Sequence, residues 1–167
     1  MILYHGSNEK ISSIELSKCG KYKDFGQGFY LTSLKKQGTD WAKKVTKRFE
    51  TGRATLNKYE FDNNLNELNY IIFTEPNEEW AAFIINNRNR DFNDHNNRLS
   101  NHDNKYDFVH GLVANDDISA ILETFLLGIL PISELSKALI YKELNDQYSF
   151  HSEKALLHLK FLESEPV

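Results

Sequence analysis

Thr55-Leu56-Asn57-Lys58-Tyr59-Glu60-Phe61 places Thr55, Asn57, Tyr59 and Phe61 on one side and Leu56, Lys58 and Glu60 on the other. This two-residue repeat fits a strand with Tyr59 and Phe61 on one face. Towards the N-terminus, Ile2-Leu3-Tyr4-His5 reads as a short strand stopped by the turn signal Gly6-Ser7-Asn8. Gly28-Phe29-Tyr30-Leu31-Thr32-Ser33 reads as a loop entering a strand, and Ser33 can cap a helix over roughly 34–49 that Gly38 weakens. Towards the C-terminus, Tyr70-Ile71-Ile72-Phe73 is a second apolar run, and Pro76 precedes a helix carrying Trp80, Phe83 and Ile84 on one side. Residues 86–104 are crowded with Asn, Asp and Arg without a period, which predicts a loop or mobile excursion.

The second half continues the mixture. Tyr106 to Ala114 reads as a strand, after which Asp116 or Asp117 caps a helix striped by Ile118, Ile121, Leu122, Phe125, Leu126 and Ile129. Pro131 opens another helix. The tail reads as a strand at Gln147–His151, a short helix from Ser152 and a strand around Leu159–Leu162. Strands and helices mix without regular βαβ alternation, so the expected fold class is α+β with a largely antiparallel sheet.

Composition bounds the function. A chain of 167 residues with 40% hydrophobic, 13% aromatic and 26% charged residues suits one globular domain spanning 1–167. The net charge of -4 argues against non-specific coating of nucleic acid, which needs a broad surplus of Lys and Arg. The single Cys19 excludes a disulfide within the monomer and a Cys-rich zinc site, and no metal is expected. No stretch reaches membrane-spanning length, and the first residues turn polar too early for a signal peptide, so a cytoplasmic protein with no membrane partner is expected.

Three clusters could carry chemistry: Tyr4-His5-Gly6-Ser7, Asp24-Phe25-Gly26-Gln27-Gly28-Phe29-Tyr30, and Asn145-Asp146-Gln147-Tyr148-Ser149-Phe150. Singly, each has an ordinary explanation: a hydrogen-bonded histidine at a strand end, a glycine turn, a core tyrosine. The short Gly-x-Gly lacks the Lys and Ser/Thr spacing of a phosphate loop.

Their order and spacing are more informative. Leu3-Tyr4-His5-Gly6-Ser7 followed by Phe25-Gly26-Gln27-Gly28-Phe29-Tyr30-Leu31 resembles the ADP-ribosyltransferase superfamily, and within it the H-Y-E branch of diphtheria toxin and the poly-ADP-ribose polymerases. Trp41 stands where the polymerases carry a second aromatic, and Gln147 where they carry the catalytic glutamate. The middle of the chain is similar to small bacterial domains often encoded beside an antitoxin-like partner. The resemblance implies a split, largely antiparallel sheet with flanking helices and NAD as co-substrate. It also implies mono-ADP-ribosyl transfer to a protein or nucleic-acid acceptor, and a toxin restrained by a small antitoxin. It assigns catalysis to His5, Tyr30 and Gln147, and NAD binding to His5, Gly6, Ser7, Gly28, Tyr30 and Trp41. His5 would bond the adenosine ribose, the Gly6 backbone the nicotinamide amide, and Tyr30 with Trp41 would clamp the nicotinamide ring.

Gln147 keeps the hydrogen bond of a glutamate but not its charge, and such electrostatic stabilisation is worth about 3–4 kcal/mol. Gln147→Glu is therefore expected to raise NAD hydrolysis. The alternative is a sensor or interaction module that binds NAD or ADP-ribose without turnover. Glu153, Asp107 and Asp116 are candidate compensating carboxylates, with capping or solvated surface as their ordinary role; Asp146 should face away from Gln147, whereas Ser149 and His151 share its face. Gly38 replaces a polymerase serine, for which Thr39 could substitute. Lys35, Lys36, Lys43, Lys44, Lys47 and Arg48 crowd one helix that could face phosphates or solvent.

Overall fold

A computed structural model describes residues 1–94, 96–113, 121, 122, 124, 127, 129 and 145–167. One antiparallel sheet has the order β1-β3-β7, built from β1 (Ile2–Ser7), β3 (Thr55–Phe61) and β7 (Leu159–Pro166). The second has the order β2-β6-β5-β4, from β2 (Phe29–Leu31), β6 (Asp146–Phe150), β5 (Phe108–Leu112) and β4 (Tyr70–Ile72). Only the β4–β5 pair is parallel among these. With helices α1 (Lys35–Phe49), α2 (Glu78–Arg88) and α3 (Glu153–Leu156), the fold is α+β as the sequence predicts. The helices expected from Asp116 or Asp117 and from Pro131 fall outside the described residues, apart from isolated positions.

Alternation along β5 shows how the layers stack. Phe108 packs with Leu3, Tyr59, Phe61 and Phe150 between the two sheets, while Val109 packs on the opposite face with Trp80, Phe83 and Ile84 of α2 and with Leu122. The second sheet is thus covered on both faces. Burial of these aromatics supplies the main stabilisation, roughly 1.5–3 kcal/mol for each large apolar side chain. Asn77 caps α2 by accepting from the Trp80 N–H at 2.9 Å.

Two local expectations are corrected. Ser33 does not cap α1: its hydroxyl bonds Asp146, and the Leu34 N–H instead donates to Thr32 Oγ1 at 3.1 Å. The Asn-rich stretch is not merely a polar excursion. Asn87 and Asn101 are buried; the Asn101 N–H donates to Asn87 Oδ1 at 2.8 Å, its amide donates to the Phe25 and Tyr106 carbonyls, and its Oδ1 accepts from the Tyr106 N–H. Composition hides these two structural asparagines among solvated ones.

A buried histidine adds a pH dependence. His151 donates through Nδ1 to the Gln27 carbonyl at 2.8 Å, and its Nε2 lies 2.9 Å from Ser149 Oγ. Burial pushes this imidazole down to about 4, against smaller opposing effects of the Gln27 carbonyl and Asp107. The unfolded chain binds this proton near the ordinary value of about 6.5. Between those values the unfolded state holds more protons, so stability falls as pH drops through the window and this contribution is flat below it. The expected loss is about 3 kcal/mol. Urea midpoints between pH 7 and 4 should fall more steeply for the wild type than for His151→Asn; parallel profiles would refute the assignment.

Candidate functional site

Among the described residues, an isolated backbone bridge joins the edges of the two sheets, where Tyr4 and Thr32 exchange bonds of 2.8 and 2.9 Å. In a continued antiparallel ladder, the next bonded pair would be Gly6 with Tyr30. Instead the His5 ring intervenes, and its Nδ1–H donates to the Tyr30 carbonyl at 2.7 Å. The imidazole takes the acceptor that the Gly6 N–H would have used, and the strands part. Met1 and Phe61 form a mutually bonded pair, so odd-numbered β1 residues direct their backbone groups to β3 and even-numbered ones away from it. Gly6 therefore turns its N–H and C=O towards the parted edge, where no described residue bonds them.

A cavity of about 1020 Å³ opens at this split. That is the upper end of the roughly 300–1,000 Å³ usual for small-molecule sites. His5, Gly6, Gly28, Tyr30, Trp41 and Gln147 all line it. Residues far apart in sequence are thus brought to one place from β1, β2, α1 and β6. Buried Asn57 ties down the rim by accepting from the Ile11 N–H at 2.8 Å and donating to the Glu9 carbonyl at 3.1 Å. Gln27 does the same from the other side, donating to the Leu16 and Cys19 carbonyls.

His5 stacks on Phe29, with ring centroids 4.3 Å apart. Burial holds the imidazole below its ordinary range, with the Tyr30 carbonyl opposing more weakly. The neutral ring donates from Nδ1 and keeps Nε2 as an acceptor. Tyr30 hydrogen-bonds both ways through its hydroxyl: the Phe25 N–H donates to it at 3.0 Å, and it donates to the Gly26 carbonyl at 2.7 Å. Burial, then the nearby Asp24 charge, push this phenol well above the ordinary tyrosine range, so it stays protonated.

Trp41 is 43% exposed on α1, with Lys44 Nζ 5.5 Å and the Arg48 guanidinium 5.9 Å from its ring centroid. The small residues Gly38 and Ala42 bring this helix against β1; a Cβ on Gly6 would lie 2.1 Å from the Gly38 carbonyl oxygen. The empty side of Gly6 thus accommodates α1, whereas its backbone edge faces the cavity. A Cβ at Gly38 would lie 2.8 Å from Leu56 Cδ1 and 3.1 Å from Tyr4 Cβ, so a serine there would press into the strand.

Gln147 is buried on β6. Its Nε2 donates to Asp24 Oδ2 at 3.0 Å and, more weakly, to the Leu112 carbonyl at 3.4 Å. Two acceptors on one end of the amide fix its orientation and leave Oε1 as the end offered to the cavity. Asp24 is held by Arg88, whose Nε and Nη2 donate to Oδ1 at 3.0 and 2.7 Å. Both Asp24 and Arg88 line the cavity. Their separations in sequence, 64 and 123 residues, left no local signal for this arrangement.

Other expected residues have different positions. Ser7 lies outside the cavity lining and its hydroxyl contacts Asn8 and the Glu9 N–H. Gly28 lines the cavity but also admits His151, whose Nδ1 would be 2.5 Å from an added Cβ. Asp146 bonds Thr32 and the Ser33 backbone, Asp107 accepts from the Asn69 N–H, and Ser149 bonds Val109 and His151. Glu153 is exposed and Thr39 half-buried, both outside the cavity lining; Asp116 lies beyond the described residues. Among the described residues, no group of three or more His, Cys, Asp or Glu side chains could hold a metal, and no helix is long and apolar enough to cross a membrane.

A family model described as "Protein of unknown function (DUF3990)" matches residues 1–161. The chain belongs to the DUF3990 family. No curated protein and no solved structure matches this DUF3990 chain. The family match covers all the strands and residues that build the cavity, from β1 through β6.

Proposed function

We propose that this DUF3990 chain is a cytoplasmic NAD-dependent mono-ADP-ribosyltransferase. The observation that carries the reading is the His5 wedge. It parts β1 from β2 and turns the Gly6 peptide edge towards a cavity also lined by Tyr30, Trp41 and Gln147. Each position suits a role implied by the H-Y-E resemblance. The Gly6 N–H and C=O complement a carboxamide, the neutral His5 ring accepts from a ribose hydroxyl, and Tyr30 and Trp41 supply aromatic faces for nicotinamide. Lys44 and Arg48 place positive charge beside Trp41, suited to the diphosphate.

The reaction breaks the bond between the anomeric carbon and nicotinamide nitrogen, with its electron pair leaving on nicotinamide. The cationic ribose is captured by the acceptor, which loses a proton. Water as acceptor gives ADP-ribose, nicotinamide and a proton. A protein or nucleic-acid nucleophile gives the corresponding mono-ADP-ribosyl product. The similarity to small bacterial domains paired with antitoxins extends the proposal to a toxin held by such a partner.

Incubation with NAD carrying label on adenosine, alone and with cell lysate, tests this reading. Nicotinamide release with label on a macromolecule is expected; binding that raises thermal stability without nicotinamide release would instead assign a sensor. His5→Ala removes the ribose acceptor and leaves the Tyr30 carbonyl without its donor, so NAD affinity should fall roughly tenfold or more. Calorimetry showing unchanged affinity would remove His5 from the site.

A further inference from the structure

Gln147 presents an uncharged oxygen where a cation-stabilising carboxylate is wanted, yet a carboxylate is hydrogen-bonded to the other end of its amide. Asp24 Oδ2 accepts from Gln147 Nε2, Asp24 Oδ1 accepts from Arg88, and the Asp24 side chain is only 14% exposed. The three side chains come from the loop before β2, the end of α2 and β6. Resting on the NAD-cleaving reading, we propose that Asp24 is the positioning residue for Gln147 and supplies, through it, the negative charge that stabilises the ribosyl cation.

The physical basis is a charge-assisted hydrogen bond in series with a second acceptor. A carboxylate accepting from Nε2–H pushes electron density across the amide towards Oε1 and strengthens it as the acceptor for a ribose hydroxyl. The same contact prevents the amide from flipping to present its donors. As the nicotinamide bond breaks and its electron pair leaves with nicotinamide, positive charge grows on the ribose ring. The Asp24 charge then favours the transition state over the ground state, which raises turnover without requiring tighter NAD binding. Arg88 engages the other carboxylate oxygen and fixes the group, but its side chain is 32% exposed and solvent weakens its opposing field.

This arrangement alters the expected effect of Gln147→Glu. A glutamate there would meet Asp24 within hydrogen-bonding distance, and two carboxylates so close retain a shared proton. The glutamate can contribute its full charge only when Asp24 is neutralised. Asp24→Asn/Gln147→Glu exchanges the two functional groups: the introduced amide can donate to the introduced carboxylate, and the number of negative charges is unchanged.

The experiment measures nicotinamide release and NAD affinity for the wild type, Asp24→Asn, Asp24→Asn/Arg88→Gln and Asp24→Asn/Gln147→Glu, with Gln147→Glu alone as the reference for the exchange. The Arg88 variant removes both members of the ion pair, so that the charge balance of the pair is kept if Asp24→Asn alone folds poorly. In Asp24→Asn/Arg88→Gln, kcat should fall by roughly 100-fold while NAD affinity stays within about threefold. The exchanged pair should recover kcat to within about tenfold of wild type and exceed Gln147→Glu. Wild-type kcat in the folded, NAD-binding Asp24→Asn/Arg88→Gln protein would overturn the role of Asp24 while leaving the transferase reading intact. Absence of both NAD binding and nicotinamide release in the wild type would overturn both.

Discussion

Gly6→Ala is expected to be the most damaging single-methyl addition in the first sheet. The added Cβ would lie 2.1 Å from the Gly38 carbonyl oxygen and 2.6 Å from the Ala42 backbone nitrogen. Both obstructing atoms belong to the α1 backbone, so no rotamer change relieves the clash; helix and strand must separate. Overpacking commonly costs about 1–3 kcal/mol, and a rigid backbone obstacle places this case at or above the upper end, about 3 kcal/mol. For a chain of this size, the corresponding fall in Tm is roughly 6–12 °C. Gly20→Ala is the matched control because its new Cβ would meet only the flexible end of Lys23, at 2.8 Å from Cε. Thermal and urea denaturation of both variants tests the difference. A Gly6→Ala protein as stable as Gly20→Ala would refute the close helix–strand contact. The functional consequence follows from position: separating α1 would also move Trp41, Lys44 and Arg48 away from the parted edge of β1.

The sequence made the elements legible where their periods were strong. Asn57, Tyr59 and Phe61 are buried on β3 as its alternation predicts, and Trp80, Phe83 and Ile84 form the inward side of α2. His5, Gly6, Tyr30 and Gln147 were legible through the spacing of the resembling motifs, and the cavity lining includes all four. The sequence did not reveal how they are held. Ser33 looked like a cap because hydroxyls favour helix starts, but Asp146 competes for it across 113 residues. Asp24 looked like part of a glycine turn, and its contacts with Arg88 and Gln147 exist only after α2 and β6 have been placed. Local pattern records which face a residue occupies; it does not record which distant polar group satisfies it. Gly6 shows the same division. Its place in the motif was legible, but the α1 backbone beside it requires three-dimensional packing to recognise.

Tyr30 allows its proposed stacking role and its loop contacts to be separated experimentally. Tyr30 lines the cavity, while its hydroxyl fastens the 24–30 segment through the Phe25 N–H and Gly26 carbonyl. Tyr30→Ala removes both functions and a large packed ring, so stability should fall by about 3–5 kcal/mol. At a temperature where the variant remains folded, NAD affinity should fall at least about tenfold through loss of the aromatic face, and nicotinamide release should fall by roughly 1,000-fold. The larger effect on turnover follows because the released segment carries Asp24, whose contact orients Gln147. Tyr30→Phe keeps the aromatic face but leaves the Phe25 N–H without its acceptor, at a stability cost of about 1–3 kcal/mol. It should bind NAD within about threefold of wild type while turning it over roughly tenfold more slowly. Equal NAD affinities for the Phe and Ala variants would remove Tyr30 from the nicotinamide wall. A Phe variant with wild-type turnover would show that the hydroxyl fastening does not position Asp24 and Gln147, even if the ring still holds the dinucleotide.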